Sequence, residues 1–368
     1  MRSLERLKTR SPAAWTRGRF RVPSRTALTG LLVAGLSMPS QVHGQGPPSR
    51  WILAYAADAG RIPYSTADFI RLIAVVDTSG RPKAWLFDGV MYVVQRLPNR
   101  GRFITWLGPP YATGSDWEAY LDSLFAGGGV LARLDSAVGA VGSRVGDAGR
   151  RVAVSLTIPY PEPKADTLRF FGERYDLGTI EGRVGATTQF VRSALARFPT
   201  MKFEHLTLDS FYWLHEAISG DEEQVVSLVA ERVHAAHKRF LWIPYYGAEG
   251  VASWKRFGFD EAFFQPNYFF NPAVLTTRLD SAMARAREFG MGLEIEFDAR
   301  VFTKPDQFAD RLDPYLLALD RAPDLRARSI AVFDGAGALV RLSSSGDARY
   351  RRIYCGLVNV LRGLEVSC

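Results

Sequence analysis

The chain has 368 residues, 47% hydrophobic and 23% charged, a globular balance that excludes a disordered or fibrous protein and supplies a sizeable core. Its formal net charge of +8 is unevenly placed: eight Lys/Arg and one acid fall in residues 1–44, leaving 38 basic and 37 acidic residues in the rest. So nearly neutral a body has no bulk field to steer nucleic acid or an anionic membrane surface.

Residues 1–44 read as an export signal and leader. An Arg-rich start is followed by the apolar run 27–36, shorter than the roughly 20 residues that span a bilayer. Val42-His43-Gly44 then precedes Gln45 and suits cleavage after Gly44. The mature protein is expected to be secreted or periplasmic, with no stable membrane insertion once the signal is removed. Residues 45–368 read as one domain.

Eight short β-rich runs follow, at 51–55, 84–93, 152–160, 205–212, 240–246, 262–268, 292–297 and 329–333. Amphipathic stretches fill the gaps. Residues 65–77 start at Ser65, a suitable N-cap, and carry Phe69, Leu72, Ile73 and Val76 on one face. Residues 115–147 hold two helices broken at Gly127-Gly128-Gly129. Further helices are expected over 184–197, 222–239, 275–289, 306–321 and 347–362, while the connection around 251–257 is short. Gly290 stops one helix just before a strand. Strict strand–helix alternation predicts an α/β fold, a closed (β/α)8 TIM barrel. An open doubly wound sheet is the runner-up, and the Gly-rich phosphate turn it needs after its first strand is not matched by residues 56–60.

In such barrels the chemistry gathers at the C-terminal ends of the strands. The fourth strand alternates so that Leu206 and Leu208 face the helices while Thr207, Asp209 and Phe211 face the axis; Glu216 follows on the loop over the mouth. On the seventh strand Leu293, Ile295 and Phe297 alternate with Glu294, Glu296 and Asp298, which aims all three acids inward. Buried carboxylates are costly unless paired, so three on one inward face point to chemistry. Glycoside hydrolysis needs two carboxyl groups across the scissile bond. Glu216 is assigned as general acid/base and Glu296 as nucleophile, with Asp209 as the rival on strand four, Glu294 in a supporting role and Asp298 at the rim. Acid separations of about 5–5.5 Å correspond to retention and about 6.5–9.5 Å to inversion; retention is the expectation.

Tyr160, Tyr212, Trp213, Tyr245, Tyr246 and Tyr268, with Phe269 and Phe270, fall at or after strand ends, where aromatic faces stack on sugar C–H faces. Gln265 and Asn267 add neutral donors and acceptors for hydroxyls. The implied partner is a carbohydrate, and no cofactor or metal is expected: no His/Cys cluster has zinc spacing, and no nucleophile elbow or phosphate-binding loop occurs. Cys355 and Cys368 allow one bond near the C-terminus, with their pairing open. Sugar, linkage, cleavage mode and oligomeric state are also open. The alternative function is a non-catalytic glycan-binding barrel in which the acids only accept hydroxyl hydrogen bonds.

Five segments taken together resemble a bacterial family known as domain of unknown function 4855. They are Ile158-Pro159-Tyr160-Pro161; Phe211-Tyr212-Trp213 with Glu216; Leu241-Trp242-Ile243-Pro244-Tyr245-Tyr246; Gly258-Phe259-Asp260 running to Gln265-Pro266-Asn267-Tyr268; and Gly290-Met291-Gly292-Leu293-Glu294-Ile295-Glu296-Phe297-Asp298. The resemblance spans roughly residues 51–355. It implies an exported barrel from a glycan-handling background, with Glu216, Glu294, Glu296 and Asp298 as the matching acids; Asp209 stands where the family pattern often has a small residue. Acids on strands four and seven are also similar in placement to those of retaining barrel glycosidases, a likeness of architecture alone.

Overall fold

The computed structural model describes residues 49–56, 64–335 and 337–364. The leader with its cleavage point, most of the 56–60 turn, and Cys368 lie outside the described residues.

Eight parallel strands close into a barrel: β1 (Arg50–Tyr55), β2 (Gly89–Val93), β3 (Val152–Ile158), β4 (Leu206–Trp213), β5 (Arg239–Trp242), β6 (Glu261–Phe264), β7 (Gly292–Glu296) and β8 (Ile330–Phe333). Each strand pairs with its neighbours in sequence, and β1 closes against β8 through Arg50↔Ile330 to Leu53↔Phe333. This is the TIM barrel the alternation predicts. Strands such as β3, buried along their whole length, read as continuous apolar runs because helices cover one face and the barrel interior the other.

The connections refine the expected elements. Helix Thr66–Ile73 begins at a capping box between Ser65 and Asp68. It stops three residues before Val76, because Ala74–Val76 turns into a short antiparallel pair with Pro82–Trp85. The run 84–93 is therefore two strands, and only Gly89–Val93 belongs to the barrel. Helices Gly114–Phe125 and Val130–Val145 flank the expected glycine break. An antiparallel hairpin, Thr167–Phe170 with Glu173–Asp176, precedes helix Ile180–Thr200 and was not foreseen. Helices Glu222–Ala235, Thr277–Phe289 and Ala348–Arg362 follow the predicted spans. The stretch 306–321 splits into Pro305–Phe308 and Leu312–Asp320. Between β5 and β6 there is only the single turn Val251–Ser253. Cys355, on the last helix, is disulfide-bonded.

β4 carries the irregularity that matters most. Val154 of β3 pairs with Leu208 but Ser155 pairs with Ser210, so Asp209 is an extra residue in a β-bulge. A bulge shifts the alternation by one. Beyond it Tyr212 lines the interior cavity, while Phe211 is not among that cavity's lining residues.

Candidate active site

β7 delivers the acids as its pattern demands. Glu294 and Glu296 lie two residues apart on the face opposite Leu293 and Ile295, and both are buried. Burial, then the charges of Glu296 and Glu216, push the Glu294 carboxyl well above its ordinary range. Glu296 is better provided as an anion. Tyr315, on helix Leu312–Asp320, donates its hydroxyl to Glu296 Oε2 at 2.9 Å, and the backbone at Asn267 and Tyr268 also hydrogen-bonds this carboxylate. Burial still outweighs these donors and raises its pKa to about 7. Of two close carboxyl groups only one ionises readily; the hydrogen bonds select Glu296.

Asn267 is built into this arrangement by an unusual backbone. Its φ of 47° lies in the left-handed region, which an Asn tolerates better than most side chains. Its Oδ1 accepts from the Tyr246 amide at 2.6 Å and its Nδ2 donates to Gln265 Oε1 at 3.2 Å. The strained residue turns the loop after β6 so that consecutive backbone groups reach Glu296, the kind of local cost that recurs at functional sites.

Across the mouth stands Glu216, beyond the end of β4. Burial raises its pKa, opposed by a hydrogen bond from Gln265 and by the neighbouring His215. Burial and the charges of Glu216 and Glu294 hold the Tyr212 phenol protonated far beyond neutral pH. Glu216 thus retains a proton longer than a solvent-exposed glutamate, and it faces an anion-ready Glu296.

The space between them is a cavity of about 340 Å³, lined among others by Tyr55, Tyr212, Glu216, Gln265, Asn267, Glu294, Glu296 and Asp298. It continues into a smaller lobe of about 190 Å³ lined by Tyr160, His215, Glu216, Ala217, Tyr245 and the turn around Trp106. Among the described residues no Lys or Arg lines either lobe. Among the described residues no group of three or more His, Cys, Asp or Glu side chains is arranged to hold a metal ion.

Several assignments made from the sequence need correction. Asp209 is not at the mouth: it pairs with Arg239 at 2.9 Å, and Arg239 in turn with Glu261 at 3.1 Å, at the start of β5 and β6. The register places it in the lower barrel, beside the bulge. Trp213 is fully buried on the helix side, its Nε1 donating to Glu222 at 3.0 Å. Tyr246 lies between the guanidinium groups of Arg278 and Arg285, 3.9 and 5.0 Å from its ring centre. Tyr268 is buried edge-on to Tyr315 with Arg311 over its face, so it contributes backbone, not a stacking surface. Asp298 stays at the rim but is held by Arg300 at 2.9 Å. Tyr160 and Tyr245 line the smaller lobe, and Tyr212, Gln265 and Asn267 the larger.

Four residues were missed. Trp106 sits on a single turn, Thr105–Leu107, in a segment given no element from sequence. Tyr315 belongs to an apolar helical stripe with Leu312, Leu316 and Leu319, which reads as core. His215 and Glu222 carry no spacing signal; only the fold brings them together, at 2.9 Å.

The sequence matches the model of a domain of unknown function, DUF4855, over residues 50–359. Among curated proteins none matches. Among solved structures the chain is similar in fold to ZgEngAGH5_4 in complex with a cellotriose, at 11% identity and a TM-score of 0.44 over 85% of this chain and 95% of that one. It is similar also to the intracellular xylanase TsXylA from Thermoanaerobacterium saccharolyticum, at 10% identity and a TM-score of 0.35 over 76% and 91%. Tryptophan synthase from M. tuberculosis matches at 11% identity and a TM-score of 0.35 over 85% and 93%. These likenesses are distant.

Proposed function

The chain belongs to the DUF4855 family, and from that premise we propose that it is an exported glycoside hydrolase acting on an oligo- or polysaccharide. The observation that carries the reading is the cavity itself: Glu216 and Glu296 line one concave space, with polar side chains and, among the described residues, no Lys or Arg in its lining. Carboxylates left without cations in a buried cleft destabilise a fold, so their retention there calls for a use.

The chemistry is assigned as follows. A sugar lies in the larger lobe with its anomeric carbon over Glu296. The Glu296 carboxylate forms a bond to that carbon as the bond to the glycosidic oxygen breaks, and Glu216 gives its proton to the departing oxygen. Water then attacks the same carbon, returns a proton to Glu216 and frees Glu296. Glu294, whose pKa is pushed up by burial and by the charges of Glu296 and Glu216, sits beneath Glu296 in a supporting role. Export accords with the basic and apolar leader and with a disulfide at Cys355, a bond of oxidising compartments.

The test is a polysaccharide panel with Glu296→Gln as control. The variant should lose at least about three orders of magnitude in turnover, as removal of a covalent nucleophile does, while calorimetry still detects glycan binding. Unchanged turnover removes Glu296 from the mechanism. Binding without turnover by the unaltered protein instead favours a glycan-binding barrel.

A further inference from the structure

The two lobes meet at one residue that matters. Ile104, Trp106, Leu214 and Glu216 line both, so Glu216 stands at their partition, with Glu294 and Glu296 on the larger side only. The smaller lobe has its own polar fixture. Glu222, buried at the first position of helix Glu222–Ala235, accepts from Trp213 Nε1 at 3.0 Å, from the Tyr160 hydroxyl at 3.2 Å and from His215 Nδ1 at 2.9 Å. A carboxylate with donors on every side only accepts, so the Nδ1 nitrogen of His215 carries the hydrogen. The ring's Nε2 faces away from Glu222 and has no hydrogen-bond partner among the described residues, so it is free to pair with a hydroxyl. Tyr160 packs on the same imidazole at 4.5 Å between ring centres and fixes its plane.

The rim of this lobe is the other observation. Only three aromatic side chains among the described residues are strongly exposed: Trp106 at 68%, Phe171 at 39% and Tyr245 at 37%. Phe171 is covered by the Arg197 guanidinium. The other two line the smaller lobe. Exposed aromatic surface at the edge of a concave site marks a place that is covered when a ligand binds.

Resting on the glycosidase reading, we infer that the smaller lobe is the subsite for the leaving sugar, and that this sugar is uncharged. His215 Nε2 hydrogen-bonds one of its hydroxyls, Trp106 and Tyr245 contact its C–H faces, and Glu216 at the partition protonates the oxygen that joins it to the sugar in the larger lobe. The substrate is thus a chain occupying both lobes, not a glycoside of a small non-sugar group. A uronic acid is disfavoured because among the described residues no Lys or Arg lines either lobe to pair its carboxylate.

The experiment compares the unaltered protein with Tyr245→Ala and His215→Gln, two residues that line the smaller lobe and not the larger. The probes are gluco-, xylo- and manno-oligosaccharides of two to six units, the 4-nitrophenyl monoglycosides of the same sugars, and polygalacturonate. Tyr245 is an exposed rim residue, so its removal spares the fold even if loss of His215 unsettles Glu222. The unaltered protein should cleave a neutral oligosaccharide; both variants should lose at least about tenfold in kcat/KM on it and less than about threefold on the matching nitrophenyl glycoside, the pattern of a contact made only to the leaving sugar. Equal losses on both substrate types, no loss on either, or preference for polygalacturonate each overturn the subsite. A protein that cleaves none of the probes defeats the glycosidase reading, and the leaving-sugar role with it.

Discussion

At Glu296 the balance between burial and hydrogen bonding sets the pH at which the site works. Burial raises its pKa; the Tyr315 hydroxyl and the backbone at Asn267 and Tyr268 lower it, leaving it at about 7. A nucleophile acts only when ionised, so kcat/KM should rise with pH through about 7 as Glu296 loses its proton. Tyr315→Phe removes one lowering influence at nearly constant shape. A hydrogen bond to a charged group contributes about 1.5–3 kcal/mol, so the acid limb of the pH–rate profile should move upward by about one unit or more. A downward shift, or none, would mean that Glu296 is not the group whose ionisation limits the rate. The inward, buried placement of Glu296 was legible because alternation with Leu293, Ile295 and Phe297 fixes its face. That of Tyr315 was not, because a buried Tyr in an apolar helical stripe looks like packing until a carboxylate is found against its hydroxyl.

Between elements, the mouth depends on how the ends of β7 and β8 fit. Gly335, just past β8, has a φ of 58°, and a Cβ there would lie 2.2 Å from Asp298 Cβ and 2.9 Å from its Cα. Neither a side chain nor a shift of β8 alone relieves that contact, because β7 and β8 are locked by pairing from Leu293↔Ile330 to Glu296↔Phe333. Gly335→Ala should therefore displace the loop that begins at Asp298, break its pairing with Arg300, and cost roughly 1–3 kcal/mol. Denaturant unfolding would show a lower midpoint, and activity at a temperature where the variant is folded should also fall. A variant as stable and active as the parent would contradict the packing at this corner. At this scale the sequence was read well for strand order and less well for detail. Eight β-rich runs gave the barrel, but the Asp209 bulge is invisible to a two-residue period, and so Phe211 was turned inward in place of Tyr212. The hairpin at Thr167–Asp176 escaped because its strands are four residues each and one carries exposed charge along most of its length.

Over the whole molecule, charge is sorted along the barrel axis. At the lower end Arg239 bonds Asp209 and Glu261 and faces the ring of Trp51 at 5.8 Å. Burial lowers the Arg239 pKa, but the two acids outweigh it and the guanidinium is held more firmly charged. At the upper end, among the described residues, four acids line the cavity and no Lys or Arg does. Paired charges close the floor; at the mouth Asp298 is held by Arg300, while Glu216, Glu294 and Glu296 have no ion-pair partner among the described residues, the division between stability and function that this architecture favours. Asp209 is the residue on which the division can be tested, since the pattern of β4 made it a rival for catalysis. Asp209→Asn keeps the shape, weakens the floor network and leaves the mouth untouched. The expected cost is about 1–3 kcal/mol, lowering Tm by roughly 2–8 °C, with kcat/KM on a cleaved polysaccharide within about twofold of the parent. A hundredfold loss of turnover at unchanged Tm would return Asp209 to the active site and move the chemistry down the axis, away from Glu216.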